Sequence, residues 1–231
     1  MTYPNSVKKF REILSKQSSE DILNIIYELQ CEIQDIKRLV EQPHLNWRQA
    51  WTLKKVHGLH NQPEACTRIS RLREYITIAK EALRNSGFIY ADSPEEAKSK
   101  EFDARIADIK KITLITYTMP NLRADGRKSL VLDAESVKVT TGHPLTPDQD
   151  DAIEESFFTK EQVLQQVRNL HLGEYRHKYD CFTDYGIKIY DGFGWKLRIE
   201  YHTHEPFEVS GNNVTPYNYH ALRKLCSYTK Q

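Results

Sequence analysis

The sequence predicts an α+β protein in two parts: an all-helical N-terminal bundle with a long antiparallel helical hairpin, then an antiparallel β-sheet domain with two packed helices. Three observations carry that expectation. Between Ser19 and Leu83, two long stretches repeat apolar residues at steps of three and four, the period of a helix buried along one stripe. From Ile112 onward the helical period gives way to short alternating runs bounded by turn residues, interrupted by one further helical stretch. Between these regions lies the polar run Ala91-Asp92-Ser93-Pro94-Glu95-Glu96. The expected division is residues 1–90 for the bundle, 91–104 for a linker and short helix, and 105–231 for the sheet domain.

Phe10, Ile13 and Leu14 mark a short opening helix. Ile22, Ile26, Leu29, Ile33, Ile36 and Val40 form the first long stripe, with Ser19 read as its cap, acids in its first turn and Lys37 and Arg38 in its last. Ile25, Cys31 and Leu39 lie off that stripe and predict additional apolar surface. A shorter helix from Asn46 to His57 carries Trp47, Trp51 and Leu53, and tryptophans at that spacing are expected to turn inward. The second long stripe is Ala65, Ile69, Leu72, Ile76, Ala79 and Leu83, stopped by Asn85-Ser86-Gly87.

In the second part, Ser93 caps a charged helix running through Phe102. Ile112 to Tyr117 is a strand, Asp125-Gly126 reads as a hairpin turn, and Leu130–Leu132 and Val137–Val139 continue a meander. Thr141 to Glu155 holds Pro144, Pro147 and five acids, and reads as a solvated loop. Thr159 caps a helix through Leu170 with Val163, Leu164 and Val167 inward. Asp191-Gly192 then turns into the alternating strand of Trp195, Leu197, Ile199 and Tyr201; Phe207 and Val209 alternate again, and a helix spans Tyr219 to Tyr228.

Composition narrows the function classes. With 39% hydrophobic and 28% charged residues and only nine glycines and nine prolines, the chain is neither disordered nor fibrous. No apolar run is long enough to span a bilayer and Met1–Phe10 has no apolar core behind it, so a cytoplasmic protein is expected. A net charge of +1 excludes an acidic DNA mimic. Cys31, Cys66, Cys181 and Cys226 are widely separated and predict free thiols.

No phosphate-cradling loop or nucleophile elbow occurs, so no cofactor is expected. An enzymatic role is left open, with the balance toward none. His202 and His204 are read two apart on the strand ending in Tyr201, so both imidazoles share a face with Glu200, a spacing that can hold a metal if a third ligand comes from elsewhere; a solvent-facing turn is the competing reading. His57 and His60 flank a helix-breaking glycine. Arg168 and His171 are too close for the helical ribonucleases that use a wider Arg-to-His spacing.

Local charge is stronger. From His44 to Arg84 the basic residues Arg48, Lys54, Lys55, Arg68, Arg71, Arg73, Lys80 and Arg84 number eight, against Glu64, Glu74 and Glu81, and such a segment could contact nucleic acid through phosphates. An ordinary charged helix surface is the alternative. Tyr175, Tyr179, Tyr185, Tyr190, Tyr201, Tyr217, Tyr219 and Tyr228 crowd the C-terminal end, where they suit either an interface or a small core.

The run Leu170-His171-Leu172-Gly173-Glu174-Tyr175, the strand pattern Asp191-Gly192 to Trp195, Leu197, Ile199 and Tyr201, and the turn of Gly211, Asn213, Pro216 and Asn218 together resemble a small C-terminal domain of bacterial proteins. The resemblance covers about residues 105 to 228 and implies a fold without implying an activity. The expected function is a non-enzymatic interaction or accessory protein working through protein–protein contacts, with a homodimer as one form. The alternatives are nucleic-acid association through residues 44–84 and, third, a metal-dependent hydrolase built on His202 and His204.

Overall fold

The computed structural model describes residues 6–41, 47–119, 123–133, 136–143, 152–156, 158–186 and 192–227. The chain divides into two compact units, Met1–Asp92 and Ser93–Gln231. Helices make up the first and a seven-stranded sheet with further helices the second, so the class is α+β. Among the described residues no helix is long and apolar enough to cross a membrane.

The first unit holds α1 (Val7–Leu14), α2 (Ser19–Val40), α3 (Trp47–His57) and α4 (Gln62–Asn85). Helix α2 starts one residue earlier in its capping than the sequence reading placed it. Ser18, not Ser19, is the cap: its hydroxyl accepts the Asp21 N–H at 3.1 Å, and the Asp21 carboxylate accepts the Ser18 N–H at 3.2 Å. A reciprocal cap needs a side-chain acceptor three residues on, and only the pair Ser18 and Asp21 supplies it with both bonds made. Asn61 caps α4 through the Glu64 N–H.

The two long helices run antiparallel, since the start of α2 meets the end of α4 (Ser19 Oγ to Ser86 Oγ, 3.2 Å) while Glu32 meets Arg68. Ile26, Leu29, Ile33 and Ile36 bury against Ala65, Ile69, Leu72 and Leu83, and Phe10 from α1 stacks on Tyr75 with ring centroids 4.3 Å apart. Ile25, expected to add outward apolar surface, is buried with this core, whereas Cys31 and Leu39 are half-buried.

The second unit opens with α5 (Pro94–Arg105), capped reciprocally by Ser93 and Glu96. Residues 91–104 read as linker and short helix from the sequence, yet Phe102 is buried in the core of this unit. Strands β1 (Ile109–Met119), β2 (Arg123–Leu132), β3 (Val137–Gly142) and β4 (Ala152–Glu155) form the meander. Then come α6 (Lys160–Leu170), β5 (Lys178–Asp180), α7 (Cys181–Tyr185), β6 (Gly192–Tyr201), β7 (Phe207–Asn212) and α8 (Tyr219–Leu225).

The sheet order is β4-β3-β2-β1-β6-β7-β5. Every pairing is antiparallel except β5 with β7, which is parallel, so the sheet is mixed rather than wholly antiparallel. Three residues are too few to show alternation, which is why β5 left no sequence signal.

Two turn assignments change. Asp125-Gly126 lies inside β2, where the pairing steps from Thr116 with Gly126 to Tyr117 with Ala124 and leaves Asp125 as a bulge. Gly126 takes φ +136°, a value side-chain-bearing residues avoid, so the pair marks a bulge rather than the hairpin turn. The Thr141–Glu155 segment contains β4, with all four of its residues exposed; an edge strand rich in acids carries no apolar alternation to read. Pro144, Pro147, Asn46, Tyr190, Asp191 and Tyr228 lie outside the described residues.

The core of this unit gathers around Trp195. Its indole N–H donates to the Val214 carbonyl at 2.8 Å, Tyr179 and Tyr219 pack beside the ring, and Gly211 faces it across β6 and β7. A methyl group on Gly211 would stand 2.1 Å from the indole nitrogen and 2.5 Å from the Val214 oxygen. Phe193 and Asn213 close the adjoining turn: the Asn213 N–H donates to the Phe193 carbonyl at 2.8 Å, and the Phe193 N–H donates to the Asn213 side-chain oxygen at 2.9 Å. Asn218 completes the frame: it donates to the Leu170 carbonyl at 2.7 Å and accepts from the Tyr175 hydroxyl at 2.5 Å, joining α6 to the start of α8. Gly211→Ala is therefore expected to destabilise the second unit by about 2–3 kcal/mol, because neither the backbone carbonyl nor the packed ring can yield. Urea unfolding followed by Trp fluorescence and far-UV circular dichroism measures it.

Candidate functional site

The first candidate region is the basic segment. Arg68 does not project as a free phosphate contact. Its guanidinium holds Glu32 of α2 at 2.8 Å, with the two side chains only 17% and 19% exposed. Lys80 sits over the Tyr90 ring at 4.2 Å and pairs with Asp92 at 3.7 Å. Arg71 and Arg73 are half-buried, and each has an interaction within the protein. Lys54, Lys55 and Arg84 are exposed, and the Arg48 side chain lies outside what the structure describes. The charge surplus visible in sequence is thus divided between tie bars inside the helical unit and a few scattered solvent-facing cations.

His57 lies in the same neighbourhood. Burial pushes its imidazole below the ordinary histidine range, while the nearby carboxylates of Glu32 and Asp35 oppose that shift. Arg68→Ala leaves Glu32 without its partner in a half-buried seam, and is expected to cost about 1–2 kcal/mol of stability. Chemical denaturation checks this, and a variant as stable as the parent removes the structural role.

The second region is the turn after β6. His202 and His204 both lie in it, exposed, rather than on a strand face. His204 Nδ1 stands 2.8 Å from Asp108 Oδ2, which also accepts the Thr203 N–H and hydroxyl, each at 2.9 Å. The His202 N–H bonds the Asp108 carbonyl instead. Among the described residues no group of three or more His, Cys, Asp or Glu side chains converges as a metal site. The arrangement is a turn clamp: Asp108, at the entrance to β1, collects the donors of the turn leaving β6.

Those bonds, His204 first and then Thr203, hold the Asp108 carboxyl below its ordinary 3.8, at about 2. A carboxylate depressed in the folded state adds stability that is present above its unfolded value and disappears as pH falls through the folded one. Asp108→Asn should therefore lower the melting temperature at neutral pH, with the deficit shrinking between pH 4 and 2. Melting curves across that range measure it, and a deficit independent of pH would contradict the clamp.

The third region is a cleft of about 650 Å³ within the second unit, which sequence reasoning did not find. It opens between α5, the Gly173–His177 segment and the beginning of β7. Phe102 and Phe207 meet edge to face in its wall with centroids 4.9 Å apart. Tyr201 also lines it, and burial pushes its phenol up to about 12, so this hydroxyl stays protonated near neutrality and is no general base. Arg105 is engaged by Glu101, one turn away on α5. Arg198 reaches Glu200 and Glu208, and Glu208 is held below the ordinary carboxylate range first by Lys196 and then by Arg198. Lys98 bonds the Tyr175 carbonyl at 2.9 Å. The charges of Glu101 and Arg105, and of Arg198, Glu200 and Glu208, are thus committed to one another.

The tyrosine cluster resolves toward packing. Tyr175, Tyr179, Tyr201, Tyr217 and Tyr219 are all buried, and the side chains of Tyr185, Tyr190 and Tyr228 lie outside the described set. Cys181 and Cys226 are buried, Cys31 and Cys66 are half-buried, and none of the four forms a disulfide. Burial raises the Cys226 thiol to about 12 and pushes the Cys66 thiol up as well, so neither is a ready nucleophile.

Large apolar side chains remain in solvent on the helical unit. Trp51, expected to turn inward, is 58% exposed, and the Trp47 side chain lies outside the described set; among the described side chains of α3 it is Leu53 that is buried. Val56 on α3, Tyr27 on α2 and Ile89 beyond α4 are also exposed, Ile89 at 90%. No protein-family model, no curated protein and no solved structure matches the chain.

Proposed function

We propose that this protein is a non-enzymatic interaction protein whose helical unit works through protein–protein contacts, with a second copy of the same chain as the form to test first. The observation that carries the reading is the exposed Trp51. An indole in water offers much contact area at small entropic cost, and tryptophan is the residue type most concentrated at the centres of interfaces. Val56, also exposed on α3, adds apolar area that the hydrophobic effect favours covering. The cation pattern supports the same ranking. Arg68 and Lys80 are engaged inside the unit, which leaves nucleic-acid association through residues 44–84 as the weaker reading.

Sedimentation velocity across about 1–100 µM tests self-association, the range in which a standard-sized contact would be populated. A concentration-dependent dimer is expected, and Trp51→Glu should return it to monomer while changing stability by less than about 0.5 kcal/mol, as an exposed substitution does. A chain that stays monomeric throughout removes the homodimer. The interaction reading falls with it if pull-downs show no partner whose recovery depends on Trp51.

A further inference from the structure

Strand β7 is open along part of its outer edge, and that part lies in the cleft. On one side β7 pairs with β6 from Phe207 to Asn212; on the other, β5 pairs only with Ser210 to Asn212. The Ser210 N–H points to the β5 side, because it donates to the His177 carbonyl at 3.2 Å. Backbone groups alternate in direction along a strand, so the N–H and C=O of Glu208 point the same way, away from β6. A parallel neighbour continuing from β5 would present the Tyr175 carbonyl to the Glu208 N–H. Lys98 takes that carbonyl at 2.9 Å, and the chain leaves the edge toward Gly173. Among the described residues no turn or loop backbone group bonds Glu208, and Glu208 lines the cleft.

The walls say what kind of chain would fit there. Phe102, Tyr201 and Phe207 line the cleft with apolar surface, and Lys98 stands on α5 one turn before Phe102. The ammonium of Lys98 meets a carbonyl but, among the described residues, no carboxylate. A strand laid beside β7 would send alternate side chains to the α5 side, since residues two apart share a face. An apolar side chain could then cover the Phe102 and Phe207 rings while an acidic one two positions away reaches Lys98.

We propose that this edge binds an extended peptide segment of a partner protein by strand addition at Glu208, the segment carrying an apolar residue two positions from an acidic one. Main-chain bonds at Glu208 would supply register, and the two alternate side chains would supply selectivity. The end strand β4 differs in kind: its four exposed residues include Glu154 and Glu155, the charged guard that discourages pairing. The proposal uses the second unit alone and does not rest on the Trp51 surface.

The probe is the capped peptide acetyl-Asp-Thr-Val-Thr-Asp-amide, which reads the same in both strand directions, titrated into the full chain and followed by amide NMR. The expected result is a saturable shift of the Glu208 amide with slowed hydrogen exchange there, and binding at least about tenfold weaker for the analogue with Lys in place of both Asp. Glu208→Pro removes the edge N–H without touching the β6 ladder and should weaken binding about tenfold or more, whereas Glu208→Ala keeps the N–H and should change it by less than about threefold. Exchange at the Glu208 amide of the unmodified chain carries the test if the proline variant does not fold. No shift at millimolar peptide, shifts confined to β4, or equal binding by the Lys analogue would overturn the proposal. So would a Glu208→Pro variant that folds and binds like the parent. Failure of self-association through Trp51 would leave all these outcomes unchanged.

Discussion

The second unit depends on one contact: the Trp195 indole seated over Gly211 with its N–H on the Val214 carbonyl. Burying the ring is worth roughly 2–3 kcal/mol, but its location matters more than its area. Trp195 sits on β6, Gly211 is its cross-strand partner on β7, and Val214 begins the passage to α8. One side chain therefore sets the approach of two strands and the exit direction of the chain. The Asn213 bonds to Phe193 and the Asn218 bonds to Leu170 and Tyr175 extend the same frame to the C-terminal end of α6. The residues that look most like a signature in the sequence are thereby occupied with holding the fold.

How far the fold could be read varies with the range of the determining interaction. The long helices were legible because Ile22, Ile26, Leu29, Ile33 and Ile36 encode their buried face in spacing alone. Capping was nearly legible, and the shift from Ser19 to Ser18 turns on which serine has an acid three residues on. The Asp125-Gly126 pair was misassigned because a bulge and a tight turn ask the same backbone freedom of glycine, and only the register with β1 distinguishes them. Strands β4 and β5 were missed for opposite reasons. One is an exposed edge with no apolar face, the other too short to show any period.

The candidate sites were less legible still. Arg68 reads as a surface cation until Glu32, thirty-six positions earlier, is brought against it. His204 reads as half of a metal pair until Asp108 takes its Nδ1. Trp51 reads as core until α3 is seen to bury Leu53 instead. The cleft has no local sequence signal because it arises from sheet order: β5 covers one half of the β7 edge and the Tyr175 carbonyl is diverted to Lys98. The turn residues Gly211, Asn213 and Asn218 are explained by the packing they serve.

The most direct test of this account is hydrogen exchange at the Trp195 indole N–H, followed by NMR under native conditions. If the Trp195, Gly211 and Val214 contact holds the unit together, this proton exchanges only through global unfolding, with a free energy equal to that of denaturant unfolding, while the exposed Trp51 indole exchanges freely. Exchange of Trp195 through a local opening several kcal/mol below the global value would contradict it.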